Sequence, residues 1–270
     1  PTFDGTVHFV FQPAEEMAGG GRAMVEQGLF ERFPVESAFA LHHWPGLPVG
    51  QFATRTGPMM AGADTFEIQL TGRGSHAAMP HEGRDVVLAG STLVQALQAI
   101  ASRNVDPLLS VVVSVTRFQA GHADNILPGS ALLGGTVRMF DAAVRQLVRR
   151  RMEETCRGIA LQSDLDVRLD YRAGYPPTVN AAGPTAMAQA AAREVFGIDN
   201  VFEDRLPSMG AEDFAYLAEA VPACYGWIGN GPAEGGCVVH SPTYDFNDAL
   251  IAYGLRFWRR LVECSLPRPG

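Results

Sequence analysis

The strongest constraint on the fold is a repeated change of hydrophobic period between residues 64 and 171. The first stretch alternates, with Phe66, Ile68 and Leu70 on one face, which is typical of a half-buried strand. Residues 86–100 show helical spacing instead, and the apolar residues of that pattern are Val87, Leu88, Leu93, Leu97 and Ile100. Strand patterns follow at 109–118, 131–140 and 165–171, with a helix pattern at 142–161. This β-α-β-β-α-β order predicts an α+β unit with its helices on one face of an antiparallel sheet.

The flanking segments predict a second, α/β domain that the first one interrupts. Apolar strand patterns occur at 7–11, 37–41 and 224–228, and a further strand is expected before His240. Helices are predicted over 21–28, 185–196 and 211–220 and from Asp248 onward. We therefore expect a discontinuous domain, residues 1–60 and 174–270, with residues 61–173 inserted into it.

Composition excludes several classes of function. The 270 residues carry a net charge of −8, which argues against a nucleic acid as partner. No run of 18 apolar residues occurs, so no membrane span is predicted. The four cysteines form no C-x-x-C pair, and reduced thiols in a cytoplasmic protein are the expectation.

Two adjacent carboxylates, Glu15 and Glu16, directly follow the first strand pattern. Such a pair is tolerated where a cation binds one of the two, and the other can then move a proton to and from water. The alternative is that both are solvated acids at the start of a helix, where the helix dipole favours negative charge.

Three histidines lie where strand patterns end. His42 and His43 end the second strand pattern, and His240 precedes a polar loop before the last helix. Neutral imidazole is a common zinc ligand, and the ends of strands are where sites form in open α/β sheets. The alternative for the histidine pair is a turn packed beside Trp44.

The inserted unit contains its own candidate residues. His76 lies in a glycine-rich turn among small side chains, Asn125 follows a second glycine turn, and Arg138 lies in a strand pattern. An amide and a guanidinium can bind a carboxylate or a carbonyl. The alternatives are an ordinary turn at His76 and a surface charge at Arg138.

Together these motifs resemble the zinc-dependent aminoacylase and carboxypeptidase family, in particular its amidohydrolase branch. That branch contains hippurate hydrolases, indole-acetyl-amino-acid hydrolases and N-acetyl-diaminopimelate deacetylases. The resemblance covers essentially the whole chain. The matching segments are Phe11–Glu16, Leu41-His42-x-x-Pro45, Gly74-x-His76-Ala77-Ala78-x-Pro80-His81, Asn125-Ile126-x-Pro128, Gly135–Arg138, Gly210–Phe214 and His240-Ser241-Pro242.

The resemblance implies metal-dependent hydrolysis of the amide bond of N-acyl amino acids. Glu15 matches the family's general base and acid, while Glu16, His42 and His240 match metal ligands, with zinc the expected ion and manganese or cobalt as alternatives. His43 falls one place past the ligand histidine. The implied fold is a zinc-exopeptidase-like catalytic domain with a mixed sheet.

The resemblance also implies that the inserted unit is a ferredoxin-like (βαββαβ) lid that mediates homodimerisation. His76 matches a lid histidine that reaches the partner subunit's active site, and Asn125 and Arg138 match substrate-binding positions. The motif at Glu212 also matches, but we expect a structural carboxylate at the start of a helix there.

One departure from the family pattern concerns the metal site. The family has an upstream Cys-x-His or His-x-Asp segment with further ligands, and no cysteine here has a histidine two residues later. The catalytic domain is therefore expected to be amino-terminally incomplete, with at best one weakly held metal ion. The alternative function is a catalytically inactive fragment that retains dimerisation or ligand binding through the lid.

Overall fold

The computed structural model describes residues 2–16, 19–232 and 238–268. The chain forms two compact units. The first unit comprises residues 1–60, 178–208 and 212–270, and the second unit comprises residues 61–177 with 209–211. No described helix is both long and apolar enough to cross a membrane.

The described elements are twelve strands and seven α-helices, joined by short 3₁₀ and π turns. The strands are β1 (Ala38–Pro45), β2 (Phe52–Ala53), β3 (Gly57–Met60), β4 (Gly62–Thr71), β5 (Ser75–His76), β6 (Val111–Ala120), β7 (Ile126–Leu127), β8 (Ser130–Met139), β9 (Asp166–Tyr175), β10 (Thr178–Asn180), β11 (Val201–Phe202) and β12 (Ala223–Gly231). The helices are α1 (Gly20–Glu26), α2 (Leu29–Arg32), α3 (Val86–Ala99), α4 (Ala142–Ser163), α5 (Ala182–Phe196), α6 (Ala215–Ala220) and α7 (Ala249–Ser265).

The second unit contains a four-stranded antiparallel sheet in the order β6-β8-β4-β9. The alternation predicted for β4 is confirmed, because Phe66, Ile68 and Leu70 are buried and their neighbours are more exposed. Helices α3 and α4 contribute to the same hydrophobic core as these residues, so both helices cover one face of the sheet. The β-α-β-β-α-β order expected from the hydrophobic periods is the order that the structure has, apart from the short pair β5 and β7.

Helix α3 shows where hydrophobic spacing misled the sequence analysis. The Asp85 carboxylate caps it by accepting hydrogen bonds from the backbone N–H groups of Val87 and Leu88 at 2.9 Å. Those two side chains were predicted to face the core and instead point outward, with Leu88 67% exposed. The face that Leu93 and Leu97 establish continues toward the helix start through small residues, Ala89 and Gly90, which apolar counting underweights.

The first unit is built around β12, whose nine residues are all buried. Its sheet has the order β1-β12-β2-β11, with β1 parallel and β2 antiparallel to β12. Helices α5 and α7 pack against this sheet through Phe196 and Phe257, whose rings meet Phe52 of β2. The sheet is therefore mixed, as expected from the sequence.

The strand predicted at residues 7–11 is wrong. Residues 7–11 have an apolar strand pattern, yet they form no strand, and Phe9 and Phe11 are 81% and 89% exposed. A strand needs a hydrogen-bonding partner, and no described segment pairs with this one. The strand expected before His240 lies partly in residues 233–237, outside the described residues, and residues 238–240 form a bend and a turn, with His240 at φ 67°.

A buried charge network ties together the edge of the second unit's sheet. Asp64 is 1% exposed and accepts hydrogen bonds from the Arg145 guanidinium at 2.8 Å, the Tyr171 hydroxyl at 2.7 Å and the backbone N–H of Gly174 at 2.9 Å. Burial and the Asp64 carboxylate together raise the pKa of Tyr171. The Arg145 guanidinium also donates to the carbonyl of Tyr175, so α4, β4 and β9 meet at one carboxylate.

We predict that Asp64→Asn lowers the free energy of unfolding of the second unit by about 3 kcal/mol, because it leaves a mostly buried guanidinium without its counter-ion. The control is Glu67→Gln, which breaks the exposed ion pair with Arg117 and should cost less than about 1 kcal/mol. Urea unfolding followed by circular dichroism measures both. Equal losses would show that the Asp64 network adds nothing beyond a surface pair.

Candidate metal centre and active site

Strand β1 presents His42 in a fixed tautomer. The structure places His42 and His43 inside β1, in register with Trp227 and Ile228 of β12. The Nδ1 of His42 lies 2.5 Å from the backbone carbonyl oxygen of His43. Because a carbonyl only accepts, Nδ1 donates this hydrogen bond, and Nε2 is the ring nitrogen left to bind a metal ion. This is the usual arrangement of a histidine that binds metal through Nε2.

Glu15 lies in a group of three carboxylates. Ligand oxygens of Glu15, Glu212 and Asp213 all lie within 4.8 Å of one another. Among the described residues, no other three potential metal ligands lie within this distance of one another. Burial, followed by the charges of Glu212, Glu16 and Asp213, raises the pKa of Glu15 to about 7, although a hydrogen bond from the backbone of Asp213 opposes the shift. The group therefore concentrates negative charge around one side chain.

Two of the three predicted metal ligands meet. The Nε2 of His240 lies 3.0 Å from Oε2 of Glu16, and both side chains are largely exposed. The third predicted ligand, His42, does not join these two in a group of three ligand atoms within 4.8 Å. The assignment of Glu16, His42 and His240 as one ligand set stays a prediction.

The contact between Glu212 and Tyr225 was not predicted from the sequence. Glu212 was expected as a structural carboxylate that starts a helix, but α6 begins later, at Ala215. Its buried carboxylate accepts hydrogen bonds from the Tyr225 hydroxyl at 2.9 Å and from the backbone N–H of Phe214 at 3.1 Å. The available signal was the acidic pair within the matching segment Gly210–Phe214, but spacing alone does not place it beside Glu15.

Aromatic contacts hold the segment that carries His240 against β1. The His43 ring lies 5.4 Å from the Tyr244 ring and 5.5 Å from the Phe246 ring, in an edge-to-face arrangement with the latter. Further along, the backbone N–H of Asn247 donates to the Oδ1 of Asn230 at 3.1 Å. Burial, followed by the nearby His42, lowers the pKa of His43 to about 4, so His43 packs as a neutral ring.

In the second unit, His76 and Asn125 are neighbours. His76 pairs with Ile126 across the short strands β5 and β7, and the backbone N–H of Ala77 donates to the carbonyl of Asn125 at 3.0 Å. Arg138 lies near the other end of the sheet, eight residues along β8 from Ser130. At about 3.3 Å per residue that separation is about 26 Å.

The donors present in the first unit fit a divalent metal ion. Carboxylate oxygens and a neutral imidazole with its Nδ1 proton engaged are ligands that zinc, manganese and cobalt all accept. The close approach of Glu16 to His240 brings one oxygen and one nitrogen ligand to the same point. Repulsion within the carboxylate group is of the kind that a bound cation relieves.

Comparison with known proteins identifies the family. The chain matches Peptidase family M20/M25/M40 over residues 1–263. It is 37% identical over 260 residues to a hippurate hydrolase of Campylobacter jejuni. The chain belongs to peptidase family M20. An IAA-amino acid hydrolase of Arabidopsis thaliana is 36% identical to this M20 chain over 256 residues.

A solved structure agrees with the assignment. A dinuclear metal-binding peptidase of the M20 family from Bacillus subtilis matches 98% of this M20 chain at 30% identity, with a TM-score of 0.79. The alignments cover 96% and 93% of the chain for the Campylobacter and Arabidopsis relatives. They cover 67% and 58% of the relatives' own lengths, and 66% of the Bacillus structure. The M20 chain thus spans about two thirds or less of these relatives.

We predict that the free energy of unfolding falls less in His43→Phe than in the wild type as the pH is lowered from 6.5 toward 4. In the folded state His43 stays neutral down to about pH 4, whereas in the unfolded chain it takes up a proton near pH 6.5. Its contribution is therefore complete above pH 6.5 and is lost as the pH falls toward 4. Because the ring is half-buried, we expect the wild type to lose about 1–2 kcal/mol of its free energy of unfolding over this range through His43, a loss that His43→Phe does not show.

Urea unfolding of both metal-free proteins between pH 7 and 4.5 measures this difference. Phenylalanine keeps the ring contacts with Tyr244 and Phe246 but does not titrate. Parallel stability curves for the wild type and His43→Phe would contradict the prediction.

Proposed function

We propose that this M20 chain carries the catalytic centre of a metal-dependent amidohydrolase that cleaves the amide bond of N-acyl amino acids. The observation that carries the proposal is the meeting of Glu16 with His240, beside a Glu15 carboxylate surrounded by Glu212 and Asp213. The names of the hippurate hydrolase and IAA-amino acid hydrolase relatives support the substrate class, since both denote amides of amino acids.

We propose Glu16, His42 and His240 as the residues that would hold a divalent ion, with zinc the preferred candidate. A divalent ion at this point supplies Lewis-acid polarisation of the substrate carbonyl and acidifies water. The Nδ1 hydrogen bond of His42 supports its assignment, because it orients the ring with its Nε2 lone pair free.

In this proposal Glu15 is the general base and acid. Its carboxylate accepts a proton from the water that attacks the carbonyl carbon, and it returns that proton to the amide nitrogen as the C–N bond breaks. Glu212 accepts a hydrogen bond from Tyr225 and so stays fixed beside Glu15 while the proton moves. The products are a carboxylic acid and a free amino acid.

We predict that Glu15→Gln lowers kcat for N-benzoyl- and N-acetyl-amino acids by about 10² to 10⁴-fold, the usual contribution of a general base, and leaves the bound metal unchanged. Glu16→Gln should instead lower metal content, because it removes a carboxylate ligand. Elemental analysis combined with a hydrolysis assay separates the two effects, and Glu31→Gln on the exposed surface of α2 is the control.

Two outcomes would count against this proposal. Full activity of Glu15→Gln would exclude it as the general base. If the wild-type chain bound no metal and showed no turnover, the second candidate, a fragment without catalytic activity, would be favoured. The position of His42 outside the close ligand group supports that candidate.

We further propose that the second unit is the ferredoxin-like lid of the family and forms a homodimer. The strand order β6-β8-β4-β9 with two helices on one face supports the lid assignment. Strand β6 lies at the edge of the sheet, and the backbone groups on its outer side offer a pairing surface to a second copy.

The same unit gives a reason for a dimer. Arg138 lies about 26 Å along β8 from the end of the sheet that carries His76 and Asn125. A single small substrate cannot contact all three within one copy. Two copies related by a two-fold axis could place Arg138 from one beside His76 from the other.

We predict that inactive Glu15→Gln and His76→Ala chains restore activity when they are co-refolded. Random pairing makes about half of the dimers mixed, and one of the two sites in each mixed dimer keeps both groups, so about a quarter of the wild-type activity should return. Activity assays and gel filtration of the mixture measure this. A strict monomer, or a mixture that stays inactive, would contradict the trans arrangement.

A further inference from the structure

One buried side chain holds both ends of the loop that carries Glu15 and Glu16. Asp213 is 0% exposed. Its Oδ2 accepts a hydrogen bond from the backbone N–H of Gly21 at 2.7 Å, and its Oδ1 accepts from the side-chain amide of Gln12. Gln12 precedes the two glutamates and Gly21 follows them in the sequence. The carboxylate therefore bridges the entry and the exit of the loop.

The same residue also contacts the proposed base directly. The backbone N–H of Asp213 donates a hydrogen bond to the carboxylate of Glu15. Asp213 thus makes three contacts to the loop, two through its side chain and one through its backbone. A rotation of the loop would have to break all of them.

Close backbone packing shows that this arrangement is built into the sequence. A Cβ atom on Gly21 would lie 2.7 Å from the backbone oxygen of Asp213, and one on Gly20 would overlap the carbonyl of Pro13. A larger residue at Gly21 would push the start of α1 away from Asp213, and one at Gly20 would push it away from Pro13. The glycines let the loop exit approach closely enough for the Gly21–Asp213 hydrogen bond.

We propose that Asp213 is the positioning residue that fixes the Gln12–Gly21 loop and thereby the orientation of Glu15. The proposal rests on the proposed function, since it assigns Glu15 a task that needs orientation. An aspartate suits this place because two N–H donors point at its two oxygens. An asparagine would turn its own NH₂ group toward one of those donors.

The test compares the wild type with Asp213→Asn, Gln12→Leu and the double variant. Glu219→Gln, at an exposed acid on the helix α6 that follows Asp213, is the matched control because it changes the charge equally. The first readout is amide hydrogen exchange of peptides that cover residues 12–28 in the metal-free chain. The second readout is kcat and KM for N-benzoyl- and N-acetyl-amino acids.

We expect Asp213→Asn and Gln12→Leu each to speed amide hydrogen exchange of residues 12–28 about 10-fold. Exchange in the double variant should be little faster than in Asp213→Asn, because both changes break the same bridge. We also expect kcat to fall about 100-fold in Asp213→Asn with KM nearly unchanged, since a small displacement of a base costs rate rather than binding. Glu219→Gln should match the wild type in both readouts.

Gln12 is only partly buried. Wild-type exchange in Gln12→Leu would therefore overturn the proposal even if Asp213→Asn failed to fold. Unchanged loop exchange in Asp213→Asn, together with loss of bound zinc, would also overturn it and make Asp213 a metal ligand. If the wild type hydrolyses none of these substrates, the proposed function fails, but hydrogen exchange in the metal-free chain still decides the role of Asp213.

Discussion

The architecture of the candidate site depends on keeping four carboxylates, Glu15, Glu16, Glu212 and Asp213, close together without unfolding the chain. Like charges at such distances repel strongly away from bulk water. The chain offsets this repulsion with donors from several elements, among them the Tyr225 hydroxyl and backbone N–H groups. Each carboxylate oxygen of Glu212 and Asp213 accepts a hydrogen bond, whereas Glu16 remains largely exposed beside His240.

The donors come from parts of the chain that are far apart in sequence. Asp213 and Glu212 precede α6, Tyr225 lies in the buried strand β12, and Gly21 lies in the first turn of α1. The parallel pairing of β1 with β12 places the His42 strand beside the Tyr225 strand. The proposed proton-transfer site is thereby supported by a sheet, and Glu15 and Glu16 lie in a loop of the same unit.

The hydrophobic patterns of the sequence predict the helices and strands of the second unit better than those of the first. The second unit could be predicted closely because strands β4 and β9 alternate and helices α3 and α4 each bury one face, so the period separates strands from helices. Prediction failed at Val87 and Leu88, where small residues complete the buried face, and at residues 7–11, where an apolar run has no partner strand. Periodicity records the propensity of a segment and does not record whether a neighbour is present to pair with it.

The sequence by itself determined the family, the order of elements and the residue types that can bind metal or move a proton, because these depend on local pattern and on the order of motifs. The tertiary structure alone decided that Glu212 lies beside Glu15 and that Asp213 bridges Gln12 and Gly21. Contacts between residues some 200 positions apart follow from strand pairing and helix packing. They leave no trace in spacing along the chain.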